Sequence, residues 1–214
     1  MYFYLTRRLP GRQMESRKFG TGDGRFVGEI LGQLHLALAQ LDDLVSEADL
    51  LATVRDWALP AARTVLGLSD AFCADYLDNF SKLYPALPRQ IIHRDPNPGN
   101  IICDDDRWGF IDFELAERNA RIYDPCYAAT AVLSETFGKD NEGWLAIYRD
   151  IICGYDNVAK LTEEERKAIP YILLANQFVC VAWFSQQEKY QEIFKTNQAM
   201  TAWLVKKWDA LQQF

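Results

Sequence analysis

His93-Arg94-Asp95-Pro96-Asn97-Pro98-Gly99-Asn100-Ile101-Ile102, followed by Gly109-Phe110-Ile111-Asp112-Phe113-Glu114, is the stretch on which the reading turns. Asp95 and Asn100 are five positions apart, and Asp112 lies twelve beyond Asn100. Ile101-Ile102-Cys103 and Trp108 to Phe113 are β-like, and Asp104, Asp105 and Asp106 between them have turn composition. Twelve residues are just enough for a hairpin to fold back and bring Asn100 and Asp112 together. A third β-like run, Gln90-Ile91-Ile92, leads into His93.

These residue types at this spacing suit one chemistry. Transfer of an anionic phosphoryl group needs divalent metal held by oxygen ligands, and magnesium takes only a few of them from protein. An Asn amide oxygen and an Asp carboxylate supply these, while a second carboxylate orients the attacking hydroxyl and takes its proton. H-R-D-x-x-x-x-N with a later metal-binding Asp is the general kinase pattern. His93 reads as a brace for this loop, and Glu114 reads equally as a ligand or as an exposed carboxylate.

Around this core the chain is mostly helical. Phe26, Ile30, Leu31, Leu34, Leu38 and Leu41 recur at three- and four-residue steps. Helical patterns follow at Glu47 to Leu59, with Ser46 as N-cap, and at Asp70 to Leu83. Beyond Asp124-Pro125 they resume at Cys126 to Phe137, Glu142 to Cys153, Glu163 to Gln187 and Tyr190 to Gln212. Thr162 with Glu165 fits a capping box, and Pro170 is expected to kink or divide its helix. Gly20, Gly22 and Gly24 read as a flexible loop, and His35 as a satisfied core residue. Trp203 and Trp208 read as core. The fold class is α+β, mostly helical, with a small β hairpin insert.

The chain has 214 residues and a net charge of −7. Such a balance argues against nucleic acid as a partner. Arg7, Arg8, Arg12, Arg17 and Lys18 make only a local basic stretch, read as solvated surface. Five widely spaced cysteines, with no C-x-x-C pair, suggest neither zinc nor a disulfide framework. No leader or membrane span is expected; Ile169 to Phe184 reads as a buried core helix, and the setting as cytoplasmic.

Pro98-Gly99-Asn100 after His-x-Asp, then Ile-Asp-Phe-Glu, resembles the aminoglycoside phosphotransferase and choline kinase group, with its homoserine kinase-like members. Protein kinases usually have Lys and Gly where Asn97 and Glu114 stand. Arg121-Ile122-Tyr123-Asp124-Pro125 resembles the segment entering the next helix, and Leu31-Gly32-Gln33-Leu34-His35 the first large-lobe helix. Tyr2 to Gly11 resembles the strand and hinge leaving the small lobe.

The resemblance implies a kinase-like large lobe over 13–214, preceded at 1–12 by a remnant strand and hinge of the small lobe. It implies ATP and Mg2+ as cofactors and a small-molecule hydroxyl as acceptor. Asp95 would be the catalytic base, Asn100 and Asp112 the metal ligands, and Asp124 a structural support. Backbone near Thr6 and Arg7 would face adenine. Only about ten residues precede the hinge-like turn, so the phosphate-covering loop and its strand Lys are not expected. The remnant strand would then lack sheet partners, and the bared face is expected to be covered by a second copy or a partner chain. A non-catalytic binding protein, or a half-enzyme completed by a small-lobe partner, stays open as an alternative.

Overall fold

The structure is a computed structural model and describes residues 9–15, 19–20, 22–41, 45–104 and 107–213. The expected strand Tyr2 to Leu5, the adenine-facing Thr6 and Arg7, and Asp105 and Asp106 lie outside the described residues.

Two small antiparallel sheets sit among helices. β1 (Arg12–Gln13), β3 (Ile101–Asp104) and β4 (Arg107–Phe110) form one, in the order β1-β3-β4. β2 (Arg89–Ile92) and β5 (Glu117–Ala120) form the other. The expected hairpin is β3–β4, with Ile101 opposite Phe110 and Asp104 opposite Arg107. β1 and β5 are additions that sequence patterning did not suggest. Gly11, at φ +116°, turns the chain into β1, a stretch that had read only as a turn. β5 also borders Ser46–Ala48, which exchange backbone bonds with Arg118. Ser46 is therefore not a helix N-cap. Asp49 takes that place, accepting from the Ala52 N–H, ahead of α2 (Leu50–Thr53). The helix continues through a π-helical turn into α3 (Leu59–Leu66).

α4 (Asp70–Leu83) starts on Ser69, α5 (Tyr123–Thr136) follows β5, and α6 (Asn141–Val158) runs five residues past its expected end. α7 (Glu163–Phe184) opens with the capping box of Thr162 and Glu165, both halves of which are formed. It passes through Pro170 undivided. The carbonyl deprived of its partner belongs to exposed Arg166, where water can reach it, while Ile169, Ile172 and Leu173 are wholly buried on either side. α7 is apolar almost all round because it is the central helix, and the part long and apolar enough to cross a membrane is mostly buried here. Lys207 separates α8 (Gln191–Lys206) from α9 (Trp208–Leu211), which sequence patterning had joined.

α1 (Asp23–Leu38) begins three residues before its first apolar position, so Gly24 belongs to the helix rather than to the preceding loop. Gly24, Gly28 and Gly32 form a stripe at four-residue steps that lies on α6. A Cβ on Gly28 would stand 2.0 Å from the Ile151 carbonyl oxygen, and one on Gly154 would stand 2.1 Å from that of Arg25. Backbone meets backbone there, and no side chain larger than hydrogen fits. Trp203 packs edge-on to Trp144, and Trp208 packs against Tyr76 and Tyr171, as core residues do.

Candidate active site

The loop after β2 hangs from one buried carboxylate. Asp124, at the start of α5 and fully buried, accepts the His93 N–H at 2.8 Å on one oxygen and the Arg94 N–H at 2.9 Å on the other. Arg94 sits at φ +72°, a strained conformation for a bulky residue, and these two bonds hold it there. The Arg94 guanidinium turns to Glu117 on β5, with Nε 3.2 Å from its carboxylate. Burial pushes the Glu117 carboxyl up, against the opposing pull of Asn119 and Arg94.

Asp124 also meets His35 of α1, whose Nε2 is 2.9 Å from it, and the other ring nitrogen is 2.7 Å from the Tyr155 hydroxyl of α6. The imidazole N–H serves the carboxylate, and the phenol donates to the bare nitrogen. His35 is thus a satisfied core residue that also fixes Asp124, joining the carboxylate to two helices.

His93 is a brace. Its Nε2 lies 2.9 Å from the Ile111 carbonyl oxygen and must donate to it, leaving Nδ1 to accept from the Asp95 N–H at 3.3 Å. Its ring packs on Phe113, centroids 4.3 Å apart. One imidazole therefore ties the Asp95 loop to the strand that leads to Asp112.

Asp95 is half-buried. It accepts from Asn97 Nδ2 at 2.9 Å and from Asn100 Nδ2 at 3.2 Å. Asn100 Nδ2 also donates to the Asp95 carbonyl at 2.9 Å. The Tyr127 phenol, one turn into α5, lies within the electrostatic reach of the Asp95 carboxylate. Burial holds that phenol well above its ordinary range, so it stays a donor. Sequence patterning missed Tyr127; its place three residues after Asp124 on α5 was the only available signal.

Asn100 and Asp112 flank the neck of the hairpin, where the Ile111 N–H donates to the Asn100 carbonyl at 3.0 Å. β1 supports the same point, since Gln13 Nε2 donates to the Gly99 carbonyl at 2.7 Å. Asp112 is exposed at φ +68°, and Glu114 is exposed beyond it. The residues present fit magnesium. Because Asn100 spends its amide nitrogen on Asp95, its amide oxygen remains for a cation, and the Asp112 carboxylate is open to solvent. No group of three or more His, Cys, Asp or Glu among the described residues makes a closed metal cage, as suits an ion that keeps water and phosphate ligands.

Two hollows border this region. One of about 220 Å³ lies between α5, α7 and α8 and reaches Asn97 and Tyr127. A larger one, about 790 Å³, lies between β1, β3 and the start of α1, and touches none of Asp95, Asn100 or Asp112.

Comparison with known proteins identifies the family and the fold. Residues 1–161 match the sequence profile of the family described as "Phosphotransferase enzyme family". A homoserine kinase of Beijerinckia indica subsp. indica is 35% identical over 156 residues, covering 68% of this chain and 46% of that protein. One of Phenylobacterium zucineum is 32% identical over 113 residues, covering 52% and 34%. The chain spans about half the length, or less, of these curated relatives. Among solved structures, a choline/ethanolamine kinase family protein from Mesorhizobium loti superposes with a TM-score of 0.69 at 17% identity, covering 97% of this chain and 71% of that one. The chain belongs to the phosphotransferase enzyme family and has the kinase-like fold of its choline kinase and aminoglycoside phosphotransferase members.

Proposed function

We propose that this chain carries the catalytic centre of an ATP-dependent kinase that phosphorylates a hydroxyl of a small molecule. The observation that carries the reading is the joining of Asp95, Asn97 and Asn100 by direct hydrogen bonds, with Asp112 one residue past the backbone bond that closes the hairpin on Asn100. A solved relative of the same fold, an amicoumacin kinase, is a complex with AMP-PNP and Ca2+. That pairing supports a nucleotide and a divalent cation here.

Asp95 is the catalytic base in this reading. It takes the proton of the acceptor hydroxyl as that oxygen bonds to the γ-phosphorus, and the bond from that phosphorus to the bridging oxygen of ADP breaks. Asn97 holds the carboxylate from its own loop, and Asn100 holds it from the hairpin. Asn100 and Asp112 would hold magnesium, which supplies charge neutralisation on the phosphates. Preorganisation by Asp124 keeps these groups in place without reorganisation at the moment of reaction. The five cysteines are all free, which suits the reducing setting expected of a cytoplasmic enzyme.

Isothermal titration of magnesium-ATP into the chain and into Asp112→Ala tests the reading. Binding by the intact chain that Asp112→Ala abolishes is expected. Absence of binding by the intact chain refutes the assignment of a working nucleotide site to these residues alone.

A further inference from the structure

β2 ends at Ile92, directly opposite Glu117 of β5. Two residues further on the chain returns to the same place, because Arg94 Nε lies 3.2 Å from a carboxylate oxygen of Glu117. The ion pair thus closes a small ring that runs off β2, round His93, and back from Arg94 to the strand with which β2 pairs. Asp95 is the next residue after that ring.

Asp124 alone leaves part of this geometry open. By accepting the N–H groups of His93 and Arg94 it places two backbone nitrogens. At a tetrahedral Cα the onward direction of the chain is set only when a second substituent is held as well. The Arg94 side chain is that substituent. With its nitrogen tied to Asp124 and its side chain tied to β5, Arg94 is fixed at φ +72°, a conformation that arginine rarely adopts unless its surroundings impose it. The Asp95 N–H then meets His93 Nδ1, which orients the next peptide plane.

Glu117 is itself firmly placed. One carboxylate oxygen faces Arg94, and the other accepts from Asn119 Nδ2 at 2.8 Å. Asn119 Oδ1 accepts from the Tyr84 hydroxyl at 2.8 Å, and the Tyr84 oxygen accepts the Leu50 N–H at 3.0 Å. The Glu117 side chain is 11% exposed and that of Arg94 33%, so solvent screens this pair less than a surface one. Burial nevertheless pushes the Glu117 carboxyl up against the pull of Asn119 and Arg94. Apolar residues of similar volume often serve stability as well as a buried ion pair or better, so the value of such a pair lies in the geometry it imposes.

We infer that Glu117 and Arg94 are a positioning pair for Asp95: the carboxylate on β5 holds the guanidinium, and the guanidinium holds the backbone from which the Asp95 side chain projects. The inference rests on the kinase reading for what Asp95 does, and on the ring alone for the ordering of its loop.

The test is amide hydrogen exchange, followed by NMR at neutral pH, on the intact chain, on Arg94→Asn, and on the double variant Arg94→Asn with Glu117→Gln, which strands no charge. Asparagine tolerates positive φ better than arginine and is too short to reach β5. If Asp124 alone ordered the loop, both variants would protect it as well as the intact chain or better. The positioning pair predicts the opposite. The Arg94-position and Asp95 amides should exchange about tenfold faster or more, the step that loss of one charge-assisted hydrogen bond produces. In the double variant the amides of α6 and α7 should keep their rates within about threefold, since they open with the whole fold. Loop amides that keep or gain protection overturn the inference. So does a rise in α6 and α7 as large as in the loop of the double variant, which would make the pair a brace of the whole fold. The double variant decides the matter if Arg94→Asn does not fold. An intact chain that binds no magnesium-ATP would sink the kinase reading, while the exchange rates would still decide whether the pair orders the loop.

Discussion

Gly28→Ala should destabilise the protein by about 2–3 kcal/mol, although alanine is the better helix former. The added Cβ would lie 2.0 Å from the Ile151 carbonyl oxygen and 2.6 Å from the Tyr155 nitrogen, where ordinary contact begins at 3.4 Å. The shortfall of 1.4 Å is against backbone, so no side-chain rotation relieves it. α1 and α6 must separate by about an ångström. Overpacking typically costs about 1–3 kcal/mol and occasionally more, and rigid backbone on both sides places this case at about 3–4. The gain in helix propensity returns about 1 kcal/mol. For a chain of this length the net loss corresponds to a fall in Tm of about 4–12 °C. Urea denaturation of Gly28→Ala and Gly154→Ala measures it. Gly20→Ala is the control, since its Cβ would meet only Asp23 Oδ2 at 3.8 Å and should change stability by less than about 0.5 kcal/mol. A loss below about 1 kcal/mol for Gly28→Ala would refute the backbone-contact account of this crossing.

Asp112→Gly should leave the fold as stable or stabilise it by up to about 1 kcal/mol, because glycine relieves the positive φ, while magnesium-ATP binding disappears; melting and calorimetry on one sample check both. Asp124→Asn should cost about 2–4 kcal/mol in urea denaturation, since an amide nitrogen would face a loop N–H that now donates to a carboxylate. Arg121→Ala should cost about 3–5 kcal/mol by the same measurement, because it strands the fully buried carboxylate of Glu165, now held at 2.7 and 2.8 Å. The folded-state Glu117 carboxyl lies above its unfolded value of 4.5, so the native state binds the extra proton. Its contribution to stability is greatest below pH 4.5 and declines as pH rises toward the folded pKa. Glu117→Gln should flatten that part of a stability-against-pH curve.

The helices were legible where one face alone is buried or a cap marks the start, as with the Thr162–Glu165 box, although Ser46 was misread as a cap where Asp49 serves. The hairpin was legible because Asn100 and Asp112 enclose two apolar runs and an acidic turn. Glu117–Ala120 was not, because Glu-Arg-Asn-Ala has no strand pattern of its own. It becomes a strand by pairing with β2, and Tyr84 and Glu117 hold its buried Asn119 at 2.8 Å each. Asp95 and Asn100 could be read from local spacing. Tyr127 could not, since packing of α5 is what brings it near the Asp95 loop. The glycine stripe of α1 went unread for the same reason: its meaning lies on the partner helix.

That stripe has a consequence for how damage to this protein would be scored. His35 rides on α1 and Tyr155 on α6, and both report to Asp124, which sets the backbone of the Asp95 loop. The crossing of two helices is thus the datum from which Asp95 is positioned. A library of random substitutions selected for transfer activity would return hits along Gly24, Gly28, Gly32 and Gly154. They would look like lesions of an active site that none of those residues touches. Selection for folding alone, by a fused reporter, would separate the two by returning the glycines and sparing Asp112.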